Sequence, residues 1–186
     1  DKAVQLAPKD SKVYQMIYDV DRRLQNTKDA EIAVKKMIEL DPDSLMGHAL
    51  LARFYQDTRQ KSLASAEYEK IQSSKATGKG VDAVLNDRYK TDAIYQLCVI
   101  QMDLAEEKGA KTKEGQAALA AATSYIDQVK GRRVNDSRLF LYDGRLQLLQ
   151  GNTLEAIKSL KQADTMFAPQ EGSQEWLLTK LLLVDA

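Results

Sequence analysis

His48 is the only histidine and Cys98 the only cysteine among 186 residues. A histidine can carry a proton near neutral pH or ligate a metal, and a cysteine can attack as its thiolate. Neither has the company that such chemistry needs. The chain has no H-e-x-x-H pattern and no second cysteine or histidine to share a transition metal. Both residues stand on apolar faces at helical spacing. His48 therefore reads as a packing residue and Cys98 as a small buried hydrophobe. Asp19-Val20-Asp21 and Asp41-Pro42-Asp43 bring carboxylates together but lack the glycine and closing glutamate of a calcium loop. Asp43 reads as a helix cap. A pair of carboxylates can hydrolyse a glycosidic bond, yet nothing in the sequence singles one pair out. TGKG at 77–80 lacks the full G-x-x-x-x-G-K-[ST] pattern and a preceding strand, so it reads as a turn. No catalytic residue, metal ligand or cofactor is assigned, and the chain is not read as an enzyme.

The charges point away from two further classes. Lysine plus arginine and aspartate plus glutamate number 27 each, so no net field draws the chain to nucleic acid or an anionic membrane. Arg22-Arg23 and Arg132-Arg133 are short basic doublets that extend into no stripe. No apolar run is long enough to span a bilayer. A lone cysteine makes no intrachain disulfide, which leaves the compartment open, cytoplasmic or periplasmic. Asn135-Asp136-Ser137 matches a glycosylation triplet, but a helix start explains Asp136 and Ser137 better. Because it opens at Asp1 rather than methionine, the chain is expected to be a piece of something longer.

The elements that carry these residues are helices. The stretch GRLQLLQGNTLEAIKSLKQA, residues 144–163, sets the pattern. Leu146 and Leu149 precede a turn and Leu154, Ile157 and Leu160 follow it, all at helical spacing. Gly151 suits the left-handed residue that ends the first helix. Asn152 and Glu155 have the spacing of a capping box for the second. Pro8 and Pro42 lie 34 residues apart, each closing a run that reads as a second helix, AVQLAP and IELDP.

Gly144, Gly151, Ala156, Leu160 and Ala163 together resemble the tetratricopeptide repeat, which wants small residues where its helices cross and glycine at the turn. Leu51, Ala52 and Tyr55, with Ala64, Tyr68 and Ile71, give the next best match. Tyr18 stands where the family has a small residue, which predicts a wider crossing there. Thr27 is expected to cap DAEIAVKKMIEL, with Ala30, Val34, Met37 and Leu40 inward. The resemblance implies an all-α fold, a right-handed α-solenoid of antiparallel helix pairs, with about nine or ten helices. A partial repeat over 1–10 precedes units at about 11–44, 45–78, 79–136 and 137–170, and a terminal helix follows at about 173–184. The third unit has longer helices, and residues 106–116 are expected to form an exposed bend.

In this family the first helices of successive repeats line a concave groove. That implies a groove holding Gln15, Asp19 and Arg22, then Ala49, Arg53 and Gln56, then Tyr95, Val99 and Met102, then Leu141, Arg145 and Leu148. From these Gln15, Asp19, Arg53, Tyr95, Met102, Leu141 and Arg145 are expected to contribute most, tyrosine and arginine being favoured anchors. The lysine and asparagine clamp of the chaperone-binding members is absent. The leading expectation is a protein-interaction scaffold that takes a protein or peptide partner, with acidic groups flanking an apolar anchor. The alternative for the arginines is pairing with nearby carboxylates of the chain itself. The alternatives for the whole are a structural spacer or self-association arm, or the docking arm of an enzyme.

Overall fold

The computed structural model describes residue 5 and residues 7–76, 79–132, 136–167 and 172–186. Ala3 of the partial repeat, Thr77-Gly78, Arg133, Asn135 and Pro169 lie outside the described residues. The chain divides into two compact units, residues 1–93 and 94–186. The first holds α1 (Ser11–Arg23), α2 (Thr27–Leu40), α3 (Leu45–Asp57), α4 (Lys61–Ser73) and the start of α5 (Val81–Lys108). The second holds the rest of α5, then α6 (Lys113–Gly131), α7 (Ser137–Leu149), α8 (Thr153–Phe167) and α9 (Gln174–Asp185). Among the described residues there is no strand. The fold is all-α, built of antiparallel helix pairs.

Three connections, 24–26, 58–60 and 150–152, are too short for anything but an antiparallel return. Accordingly α1 packs on α2, α3 on α4 and α7 on α8. The three turns share one hydrogen-bond pattern. Asn26 N donates to Asp21 O at 2.8 Å, Gln60 N to Tyr55 O at 2.7 Å and Asn152 N to Gln147 O at 2.8 Å. Each needs a left-handed residue one position earlier. Gly151 supplies it in the third turn at φ 81°. In the first two the same place is held by Gln25 at φ 59° and Arg59 at φ 61°, side-chain-bearing residues in a conformation that costs them about 1 kcal/mol.

The helix starts differ in detail from expectation. Asn26, not Thr27, flanks the start of α2, and Ser44, not Asp43, caps α3 by accepting from Gly47 N at 3.3 Å. Asn152 turns its amide back to Gln147 at 2.9 Å. Asp136 does cap α7, accepting from Arg138 N at 2.9 Å.

Small residues stand where helices touch. Ala64 and Ala156 are fully buried. Gly144 on α7 lies so close to α8 that a Cβ there would come 2.6 Å from Leu160 Cγ. Tyr18 is fully buried, and its hydroxyl donates to Leu50 O on α3 at 3.3 Å.

The third helix pair is longer, 28 and 19 residues in α5 and α6 against 13 to 15 in α1–α4, α7 and α8. No glycine or proline interrupts α5 before Gly109, which turns at φ 85°. The bend expected over 106–116 is confined to 109–112. Thr112 fastens it by donating to Gly109 O at 2.9 Å and accepting from Gly115 N at 3.0 Å. Residues 106–108 and 113–116 are helical because the cap lets both helices run up to the turn.

Candidate partner-binding site

In the first unit α1 and α3 lie side by side. The Tyr18 hydroxyl reaches Leu50 O, and Arg22 on α1 meets Asp57 on α3 at 2.7 Å. These ties join the two helices on which the repeat pattern is expected to present Gln15, Asp19, Arg22, Ala49, Arg53 and Gln56. Asp19 and Arg53 are exposed, and Gln15 is half-buried. Arg53 makes no ion pair among the described residues. Its charge sits near the phenols of Tyr18 and Tyr68. Burial raises both phenol pKa values and the Arg53 guanidinium works against that rise, so both stay neutral at physiological pH. Tyr68 donates to Gln56 at 2.6 Å, which orients the amide beside the face. The result is a mixed-charge surface on which Arg22 is paired with Asp57 while Arg53 meets no carboxylate among the described residues.

The second unit does not repeat this arrangement. Tyr95 is 1% exposed, and Met102 and Leu141 are fully buried. Tyr95 packs against Tyr142 with ring centroids 5.4 Å apart and the planes tilted by 55°, and the Arg138 guanidinium covers its ring at 4.7 Å. Met102 belongs to the core between α5, α6 and α7, and Leu141 to the core shared by α7, α8 and α9. The expectation that these three line an open groove is corrected. Packing of α6 and α7 over Tyr95 and Met102, and of α8 and α9 over Leu141, turns the side chains inward, and sequence periodicity does not report which flank of a helix meets a neighbour.

Arg145 is also engaged. Its guanidinium lies 2.7 Å from Asp103 and 2.9 Å from Glu106, both on α5. With 15% of its side chain exposed, it realises the intramolecular pairing that the sequence left open. The two carboxylates hold its pKa up against the effect of burial. In each unit an arginine–carboxylate pair thus ties neighbouring first helices, Arg22 to Asp57 and Arg145 to Asp103.

Two polar clusters were not legible in the sequence. His48 Nδ1 lies 2.6 Å from Glu67 Oε2 on α4, and Nε2 lies 3.2 Å from Pro42 O. Lys70 donates to the same carboxylate at 2.6 Å. His48 is thus a packing residue with a polar partner 19 residues away, a distance no local pattern reveals. Cavities of about 310 and 430 Å³ flank it, the first lined by Lys70, Ser73 and Lys75 and the second by Lys35, Leu51 and Tyr55. In the second unit the buried Asp143 on α7 accepts from Lys130 on α6 at 2.9 Å and from Ser159 on α8 at 2.6 Å.

Cys98 is buried, its sulfur donating to Ala122 O at 3.6 Å. Burial pushes the thiol up to about 12, far from a nucleophile's range. Among the described residues no group of three histidine, cysteine, aspartate or glutamate side chains is placed to hold a metal ion. No helix among them is long and apolar enough to cross a membrane.

No family model matches the chain. No curated protein matches it either. Among solved structures it is similar to PilW, described as a widely conserved type IV pilus biogenesis factor, at 15% identity and a TM-score of 0.40. That alignment covers 94% of this chain and 84% of that one. It is also similar to the MamA protein, at 18% identity and a TM-score of 0.38 over 88% of this chain and 96% of that one. At these values the description of the fold rests on the helix pairs themselves.

Proposed function

We propose that the chain is a protein-interaction scaffold that takes a segment of another protein on the face formed by α1 and α3. The observation that carries this is Arg53. Arg22 and Arg145 spend their charge on carboxylates of the chain, whereas Arg53 projects from a helix held on both sides and keeps its guanidinium in water. A planar, always-charged fork of this kind suits a carboxylate on a partner. By the repeat pattern Gln15 and Asp19 belong to the same face as hydrogen-bonding groups and give it a mixed character that suits an extended or helical segment with an acidic group. The scaffold reading also fits a fold whose helix pairs present surface rather than a closed active-site cleft.

Affinity capture from source cells with the parent chain and an Arg53→Ala, Gln15→Ala variant tests the assignment. Loss of a true anchor weakens binding by about 2 kcal/mol or more, so the partner disappears from the variant capture while the melting temperature holds. Equal recovery of the same protein by both forms rejects the face.

A further inference from the structure

Both ring nitrogens of His48 face acceptors. Nδ1 lies 2.6 Å from Glu67 Oε2 on α4, and Nε2 lies 3.2 Å from Pro42 O in the connection before α3. A backbone carbonyl only accepts, and the Glu67 carboxylate already accepts from Lys70 through Oε1 at 2.6 Å. A neutral imidazole carries one N–H, on Nδ1 or on Nε2. Whichever nitrogen holds it, one of the two contacts then sets a lone pair against a lone pair. The imidazolium carries both hydrogens and completes both bonds. Ring and carboxylate have 13% and 9% of their side chains exposed, so they meet largely out of water, where a missing hydrogen costs most.

We infer that His48 is a proton-dependent tie: charged, it fastens α3 both to α4 and to the turn before it, and neutral, it lets one of the two go. The surrounding charges leave that preference standing. On α4, Lys70 repels a charged ring, but it binds the same carboxylate and has 57% of its side chain in water. On α2, Lys35 is spent on Glu31 and Glu39 on Lys36, each at 2.7 Å. Asp43 in the connection and Lys75 beyond α4 line the cavity beside the ring with opposite charges. Tyr55, further along α3, is a neutral phenol that donates to Glu31 at 3.2 Å. The proton therefore adds a bond in the folded chain and none in the unfolded chain. Its contribution is present below about pH 6.5, where an ordinary histidine is charged, and is lost as the pH rises beyond. Pro42, His48 and Glu67 belong to three successive pieces of the first unit, so the proton sets how firmly α3 is seated between its neighbours. This inference does not rest on partner binding at Arg53, and its test uses the pure chain with no partner present.

His48 is the only histidine, which makes the test clean. Urea titrations at several values between about pH 5.5 and pH 8 read the folding equilibrium, and circular dichroism confirms that each variant folds. The folding constant of the parent should fall about fivefold across that range, the worth of about one hydrogen bond. His48→Gln has no ring to titrate and should lose the fall. Glu67→Gln removes the anion and should reduce it to about twofold or less. Nitrogen-15 spectra of the ring should show both nitrogens protonated at the acid end and one at the alkaline end. A parent folding constant that holds steady or rises with pH overturns the inference. So does a fall that His48→Gln keeps, or a ring whose nitrogens do not change over the range. Where a variant fails to fold, the parent's own profile and spectra decide the matter.

Discussion

Leu160 leaves no room for a side chain on Gly144. A Cβ built on the glycine would stand 2.6 Å from Leu160 Cγ and 2.7 Å from Cδ2, with Ala156 O at 3.4 Å behind them. Gly144→Ala must push the leucine aside, and Ala156→Leu overfills the same crossing from the other helix. Each should destabilise the chain by about 1–3 kcal/mol. A thermal melt checks this, with a drop of about 2–4 °C per kcal/mol expected for a chain of this size. An unchanged melt in either variant would mean that α7 and α8 do not touch there.

Arg145→Ala leaves Asp103 and Glu106 facing each other without the cation between them. The carboxylates are partly exposed, so solvent limits the effect to about 1–2 kcal/mol. Added salt should shrink the difference between variant and parent in urea titrations. Arg145→Lys should recover only part of the loss, because a single ammonium does not reproduce the fork.

Gly115 admits no side chain at all. A Cβ there would meet Gly109 O at 2.0 Å, and backbone cannot move aside as a side chain can. Gly115→Ala should break the Thr112 fastening and open the 109–112 turn. Limited trypsin digestion is the readout. The parent, whose lysines at 108 and 113 are helical, should be cut slowly and at Lys111 first, and the variant several-fold faster at all three. Cleavage near Lys158 ahead of these sites in the parent would contradict the description of the turn.

Gln25 and Arg59 occupy left-handed positions that glycine fills in the third turn. Gln25→Gly and Arg59→Gly should each stabilise the fold, by about 0.5 kcal/mol once glycine's extra freedom in the unfolded chain is set against the relieved strain. The reverse change, Gly151→Gln, should destabilise by about 1 kcal/mol. Chemical denaturation of the three variants resolves the sign of each.

The Cys98 thiol should resist modification in the folded chain. Burial raises its pKa to about 12, against about 8.5 in the unfolded chain, so the fold favours the protonated form. The stability this contributes is complete below about pH 8.5 and is lost as pH rises from there towards 12. A disulfide reagent at pH 8 should react with native protein at least a hundredfold more slowly than with denatured protein. Rapid native labelling would place the thiol at the surface.

Much of the fold was legible because its signals are local. The proline spacing gave the period, and Gly151 gave the turn that Gln25 and Arg59 repeat without glycine. The extra length between the small residues Cys98 and Ala122 gave the longer third pair. The partner-facing surface was less legible, since a repeat pattern states which flank of a first helix is expected to be open. Whether it is open depends on the neighbour. Tyr95 and Met102 lie at such positions yet face inward, because α6 and α7 close over them. The contact between His48 and Glu67 joins two helices and leaves no trace in either one's periodicity.

Asp143 has a mechanical consequence. It is the knot at which α6, α7 and α8 are tied, with a lysine on one side and a serine on the other. Arg145, two residues further along α7, ties the same helix to α5. A pull on the carboxyl end that peels α8 from α7 therefore strips a buried carboxylate of one partner and loosens its hold on the helix before it. Neighbouring repeats are coupled through such interfaces. Under load this half of the chain should give way in a single rip of about four helices, where a string of independent hairpins would yield one pair at a time.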